Sequence, residues 1–196
     1  MKRLLALTFF LVVCLCACGK SRTALMKAGS APISDEASIP APTVKQLSSL
    51  FDENLYCMNR LLTLGSLPTG STPVQGDHVY PVESDRFQTY AQLKDYLHTV
   101  YTAEATDRLL DNNGMPVYLD VGGRLCVDTY HVGGRGYFVD WTGYKLTIAD
   151  AQGSTCHFTV SGSLIEPADE PTPEPYTASG TAVYEDGRWV LTGMVS

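Results

Sequence analysis

Basic residues are scarce in this chain of 196 residues: 14 Lys and Arg stand against 21 Asp and Glu, and from residue 46 onward the balance is 8 against 19. Nucleic-acid binding is excluded, because phosphate contacts need Lys and Arg to displace counterions. Metal-site spacing is also missing. The four histidines, His78, His98, His131 and His157, have no helical i, i+4 partner and no Cys pair at zinc spacing. No Ser sits in a nucleophile elbow, and "GGRG" at Gly133 to Gly136 lacks the following helix that a phosphate-cradling loop needs, so it reads as a hairpin turn. Cys126 with His131 or His157 would be a Cys–His pair, but no nucleophile signature surrounds them. No catalytic residue, metal ligand or cofactor site is therefore assigned. No apolar run reaches the ~20 residues of a membrane-spanning helix.

What is present begins at the N-terminus. Lys2 and Arg3 form a positive head, and Leu4 to Ala17 an almost wholly apolar run, the pattern of a secretory signal. It closes on "LCAC", Leu15 to Cys18, which resembles the bacterial lipobox: a Leu, two small residues and a Cys. In that motif the Cys thiol receives a diacylglyceryl group and becomes the mature N-terminus. The resemblance implies that residues 1–17 are removed and that Cys18 is the lipid-attachment residue. Two or three acyl chains, at ~0.8 kcal/mol per buried methylene, hold a protein on a membrane surface. Localisation on the extracytoplasmic face of the cell membrane follows.

Residues 18–42 read as a tether, rich in Ser, Ala, Pro and Gly without a period. Lys20, Arg22 and Lys27 at its base suit anionic headgroups, or simply a solvated linker. Loss of Lys2 and Arg3 with the leader takes the formal net charge from −7 to −9.

Residues 43–196 suffice for one domain with a core. Thr43 with Gln46 forms a capping-box pattern ahead of Val44, Leu47, Phe51, Leu55, Met58 and Leu62, one helical stripe. The segment "GSLPTGSTPVQGD" from Gly65 then predicts a flexible loop. Thr89 with Gln92 repeats the pattern before Tyr90, Leu93, Leu97, Val100 and Tyr101, and Thr102 caps a short helix ending at "NNG", with Ala105, Leu109 and Leu110 inward. From Met115 the period becomes two: seven strand-like runs follow, separated by Gly-Gly, Thr-Gly, Gly-Ser and Asp-Gly. Together these predict an α+β fold, helices packed on a curled antiparallel sheet in a cystatin-like or nuclear-transport-factor-like layout. Cys57, Cys126 and Cys156 remain after Cys18; either Cys126 pairs with Cys156, or all three are small buried hydrophobes.

Between the last long strands lies "IEPADEPTPEPYT", in which Glu166, Asp169, Glu170 and Glu174 alternate with four prolines. Prolines stiffen such a loop and mutual repulsion keeps it extended, so it reads as an acidic finger suited to a groove made for acidic peptides, or as a solvated insertion. The Asp140–Trp141 turn is a second candidate contact.

"FQTYAQLKDYLHTVYTAEATDRLL", then "PVYLDVGGRLCV", then "GGRGY" resemble the helical block, hairpin and Arg-Gly turn of IseA-type DL-endopeptidase inhibitors of Gram-positive bacteria. The similarity covers roughly residues 80 to 140, at Leu93, Leu97, Leu109, Leu110, Gly123, Leu125 and Arg135. It implies a noncatalytic surface lipoprotein that blocks cell-wall cysteine peptidases, enzymes that cut D-glutamyl–diaminopimelate links in peptidoglycan, and so modulates wall turnover. On this reading Glu166, Asp169, Glu170, Glu174, Asp140 and Trp141 face the peptidase. The alternative is an extracytoplasmic small-ligand-binding or enzymatic domain of nuclear-transport-factor type, with Tyr118, Tyr130, Trp141 and Trp189 around one cone.

Replacing the thiol tests the leader. Cys18→Ala is expected to leave an unprocessed precursor in the membrane fraction, seen as slower migration on a gel; normal cleavage and lipidation of the variant would contradict the assignment.

Overall fold

The computed structural model describes residues 39–133, 138–165 and 173–196, all within one compact unit. Helix α1 spans Val44–Tyr56, and both halves of its capping box form: Thr43 Oγ1 accepts from Gln46 N–H at 3.2 Å while Gln46 Oε1 accepts from Thr43 N–H at 2.9 Å. A π-helical extension, Cys57–Leu62, continues it. Helix α2, Tyr90–Val100, starts at Thr89 with the same reciprocal pair. Thr102 caps α3, Ala103–Asp111, which stops where Asn112 and Asn113 both take left-handed backbone. Among the described residues no helix is long and apolar enough to cross a membrane.

The strands are β1 (Val79–Pro81), β2 (Tyr118–Val121), β3 (Arg124–Asp128), β4 (Phe138–Gln152), β5 (Thr155–Ile165), β6 (Glu174–Glu185) and β7 (Arg188–Leu191). They form two antiparallel sheets, ordered β1-β3-β2 and β4-β5-β6-β7, so the fold is α+β as the patterning predicts. Alternation delivers Cys156, Phe158 and Val160 of β5 to the core, with His157 facing solvent. The stripe of α1 is rotated slightly from the predicted one: Leu47, Leu50, Phe51 and Asn54 are buried, whereas Val44 is exposed.

Three differences from the sequence reading carry structural meaning. The segment after Gly65 is packed rather than a free loop: Leu67 is buried, its N–H donates to the Tyr118 hydroxyl at 3.0 Å, and Glu83 N–H donates to Pro68 C=O at 2.8 Å. Strand β1 follows it, too short to show alternation, with Pro81 tolerated because β1 is an edge strand. Third, the runs on either side of Thr142-Gly143 are one strand, β4, interrupted by a bulge and not a hairpin. Of the turn expected at Gly133 to Gly136, Gly133 has positive φ, +78°, and the rest lies outside the described residues.

One polar side chain ties the core together. Asn54, fully buried, donates through Nδ2 to Val195 C=O at 2.8 Å and accepts at Oδ1 from Val195 N–H and from the Tyr101 hydroxyl, each at 3.0 Å. The amide thus pairs with the chain after β7 as a strand would, and joins α1, the end of α2 and that segment at one point. Next to it, Thr102 N–H donates to Leu191 C=O at 2.9 Å, fastening the α2–α3 junction to β7.

Asn54→Ala strands a buried backbone N–H, a buried C=O and a buried tyrosine hydroxyl at once. A loss of about 3–5 kcal/mol is expected in urea unfolding. A cost under about 1 kcal/mol would mean that water or backbone movement replaces the amide.

Candidate functional site

The feature that gathers chemistry is the bulge in β4. Asp140 is level with Ser163 and Lys145 with Ser161, so five steps on β4 match two on β5 and three residues are extruded. Its causes are local. Asp140 Oδ1 accepts from Thr142 N–H at 2.8 Å, closing an Asx turn, and Gly143 takes φ +68°, which a side chain resists. Opposite, Gly162 leaves room for the Trp141 ring; a Cβ there would come within 2.8 Å of it.

The extruded residues face the C-terminal half of α1 and its π-helical extension, and between them runs a groove of about 630 Å³. Leu55 and Met58 from the helix side and Val139 and Trp141 from β4 give it apolar walls, and Asp52 and Asp140 supply one carboxylate from each side. Trp141 is only 8 % exposed and meets Phe51 and Tyr176 edge-on at 5.2 and 5.8 Å, so it forms floor and not rim. Its Nε1 is buried without a hydrogen-bond partner among the described residues. The Tyr144 hydroxyl donates to Asp52 Oδ1 at 2.8 Å and lies 3.1 Å from Ser48 C=O. The Thr142 hydroxyl and N–H hold the Asp140 carboxyl below its ordinary value, so it is ionised at neutral pH.

Glu174 is level with Leu164, which is level with Val139, so Glu174 and Asp140 share one end of the four-stranded sheet, two strands or roughly 10 Å apart. Glu174 is exposed. Cys18, Glu166, Asp169 and Glu170 lie outside the described residues. Tyr118, Tyr130, Trp141 and Trp189 do not surround a common cone: Tyr118 is buried in β2, Tyr130 is 70 % exposed and stacked on His78, and the two tryptophans line separate cavities.

Spacing in the sequence hides a second cluster. His78 Nε2 and His131 Nδ1 approach the buried Asp128 carboxylate at 3.7 and 3.6 Å, and His131 Nδ1 also meets Pro116 C=O at 3.1 Å. His78 Nδ1 is 3.0 Å from Asp77 Oδ1. These residues come from three separate segments that β1–β3 pairing brings together, which no local signal foretells. Among the described residues no group of three or more His, Cys, Asp or Glu is arranged to hold a metal ion. The arrangement clamps the end of β3 to the segment entering β1.

Neither a family model nor a curated protein matches this chain.

The thiols complete the inventory. Cys57, Cys126 and Cys156 are all free and buried, with Cys126 and Cys156 in different sheets, so the pairing left open by the sequence is not formed. Burial pushes the Cys57 thiol up to about 11, and the hydrogen bond between its Sγ and the Tyr96 hydroxyl, in which the thiol donates, pulls the other way. Cys126 and Cys156 are raised for the same reason, burial. A protonated, enclosed thiol is a poor nucleophile.

All three are expected to resist iodoacetamide at pH 8 in the native protein and to react once urea unfolds it; labelling of the native protein at the unfolded rate would refute this. Because the folded state holds the Cys57 proton more tightly, stability is fully present below the ordinary value of 9.0 and falls as pH rises toward 11. Urea midpoints measured across that interval check the sign.

Proposed function

We propose that this chain is a membrane-anchored, extracytoplasmic lipoprotein that binds and inhibits cell-wall DL-endopeptidases, acting by occupancy and without chemistry of its own. The observation that carries the reading is the gathering of acid at one end of the four-stranded sheet. Asp140 and Glu174 stand there two strands apart, and in sequence Glu166, Asp169 and Glu170 lie between β5 and β6. A peptidase whose substrate is a short peptide bearing carboxylates has a cleft that favours acidic ligands, and a domain this acidic is steered toward it. The enclosed, protonated thiols support binding over nucleophilic catalysis. The alternative, a ligand-binding cone of nuclear-transport-factor type, is less well supported, since its four aromatic residues are dispersed.

In this reading Cys18 supplies the lipid and residues 18–42 the reach from the membrane into the wall. Trp141 contributes through the edge it presents to the groove, and Asp140 and Glu174 through charge.

The deciding experiment is inhibition of a purified wall cysteine peptidase of the DL-endopeptidase class by the chain from residue 19 onward. Slowed cleavage of a D-glutamyl–diaminopimelate peptide at micromolar protein is expected, weakening as salt shortens the Debye length below its ~8 Å physiological value. Changing Glu166, Asp169, Glu170 and Glu174 together to their amides should slow association on the order of tenfold with the thermal midpoint unchanged. Full peptidase activity at micromolar excess of the protein would defeat the inhibitor reading.

A further inference from the structure

We propose that the groove between α1 and the β4 bulge is a receptor site for a protein segment that carries a Lys or Arg beside a bulky apolar side chain. Three observations lead there, none of which rests on the inhibitor reading. The first is charge. Asp52 from α1 and Asp140 from β4 both line the groove, and no Lys, Arg or His does so among the described residues. Asp140 is held ionised by Thr142, and Asp52 keeps lone pairs free beyond the one that accepts from Tyr144. The groove therefore carries two carboxylates from two elements and no cation among the described residues, which favours a cationic ligand.

The second is the apolar surface beside them. Leu55 and Val139, half-buried, and the core residues Met58 and Trp141 line the groove, and Leu64 at the margin is 47 % exposed. A groove of about 630 Å³ is of the size that takes a small organic ligand or a few side chains. Water against such walls is readily displaced by an apolar group.

The third separates a peptide from a simple amine. Trp141 Nε1–H, on a residue that floors the groove, is one of three buried side-chain polar atoms without a partner among the described residues, and the one that belongs to a groove-lining residue. A buried N–H without an acceptor is costly, and a carbonyl oxygen that gains access to it as the ring adjusts on binding satisfies it. A peptide brings a carbonyl with every residue, next to its basic and apolar side chains; a free alkylamine brings none. The bulge bears on all three, because Asp140 and Trp141 enter the groove lining where it breaks the ladder.

The probe is N-acetyl-Phe-Arg-amide, titrated into the ¹⁵N-labelled chain from residue 19 onward, which retains the whole compact unit that begins at Ala37. The chain has two tryptophans, so Trp189→Phe assigns the indole N–H signals. The expected result is a saturable shift of the Trp141 indole signal and none of Trp189. The neutral isostere N-acetyl-Phe-citrulline-amide should bind about five- to tenfold more weakly, and Asp52→Asn with Asp140→Asn should reduce affinity for the arginine peptide by the same factor. Both asparagines retain the acceptor oxygens used by Tyr144 and Thr142. If the double variant loses its dispersed spectrum, the comparison of the two peptides on the unaltered protein decides alone. The proposal is overturned by an unmoved Trp141 signal at about 10 mM peptide, where even millimolar affinity would saturate. Equal binding of the citrulline peptide overturns it as well, as does phenethylamine binding as tightly as the peptide. Peptide binding without peptidase inhibition would leave the groove standing and remove the inhibitor reading; inhibition without peptide binding would do the reverse.

Discussion

Asn54 is the constraint on which the rest of the packing hangs. A side-chain amide in the middle of an apolar stripe is costly unless every polar atom it meets is paired. Here it meets the N–H and C=O of one residue, Val195, and the hydroxyl of Tyr101, and satisfies all three. Apolar contacts alone would let α1 slide or rotate over the sheet at little cost. The amide permits only one register, because a shift of one residue unpairs three buried groups together. With α1 held in that register, Phe51 meets the Trp141 and Tyr144 rings edge-on, at 5.2 and 4.8 Å.

The groove follows from that fixed register and from a defect opposite it. A regular β4 would send alternate side chains into α1 and close the space. Three extra residues between Asp140 and Lys145 break the ladder and bend the strand locally. The π-helical extension supplies Met58 and Asn59 to the opposing wall. Irregularities of this kind, a bulge and a π-helical turn, are frequent next to functional sites.

The helices were legible because their signals are local. Thr43 with Gln46, Thr89 with Gln92, and Thr102 ahead of Ala105 each place a hydroxyl within reach of N–H groups two or three residues on, and nothing distant decides whether those bonds form. Strand alternation in β5 was legible for a related reason, since one face of its first half meets the core at Cys156, Phe158 and Val160. Less legible were β1, whose three residues cannot show a period, and the segment around Leu67, whose glycines and prolines imply freedom that Tyr118 and Pro81 remove by hydrogen bonding. Thr142-Gly143 is chemically a turn, and it is used as one; whether such a turn ends a strand or only bulges it depends on the partner strand, which the local residues do not contain.

The sequence by itself determined the acidic charge, the α+β class, the starts of all three helices and the carboxylates around Asp140 and Glu174, because composition, capping and period are properties of neighbours along the chain. Only the tertiary structure decided that Asp140 and Glu174 share one end of a sheet, that Asp52 joins Asp140 across an apolar groove, and that His78 and His131 meet at Asp128. Each of those meetings joins residues dozens of positions apart. Their distance is set by strand register and by the single buried amide of Asn54, and a contact that depends on register cannot be read from either segment alone.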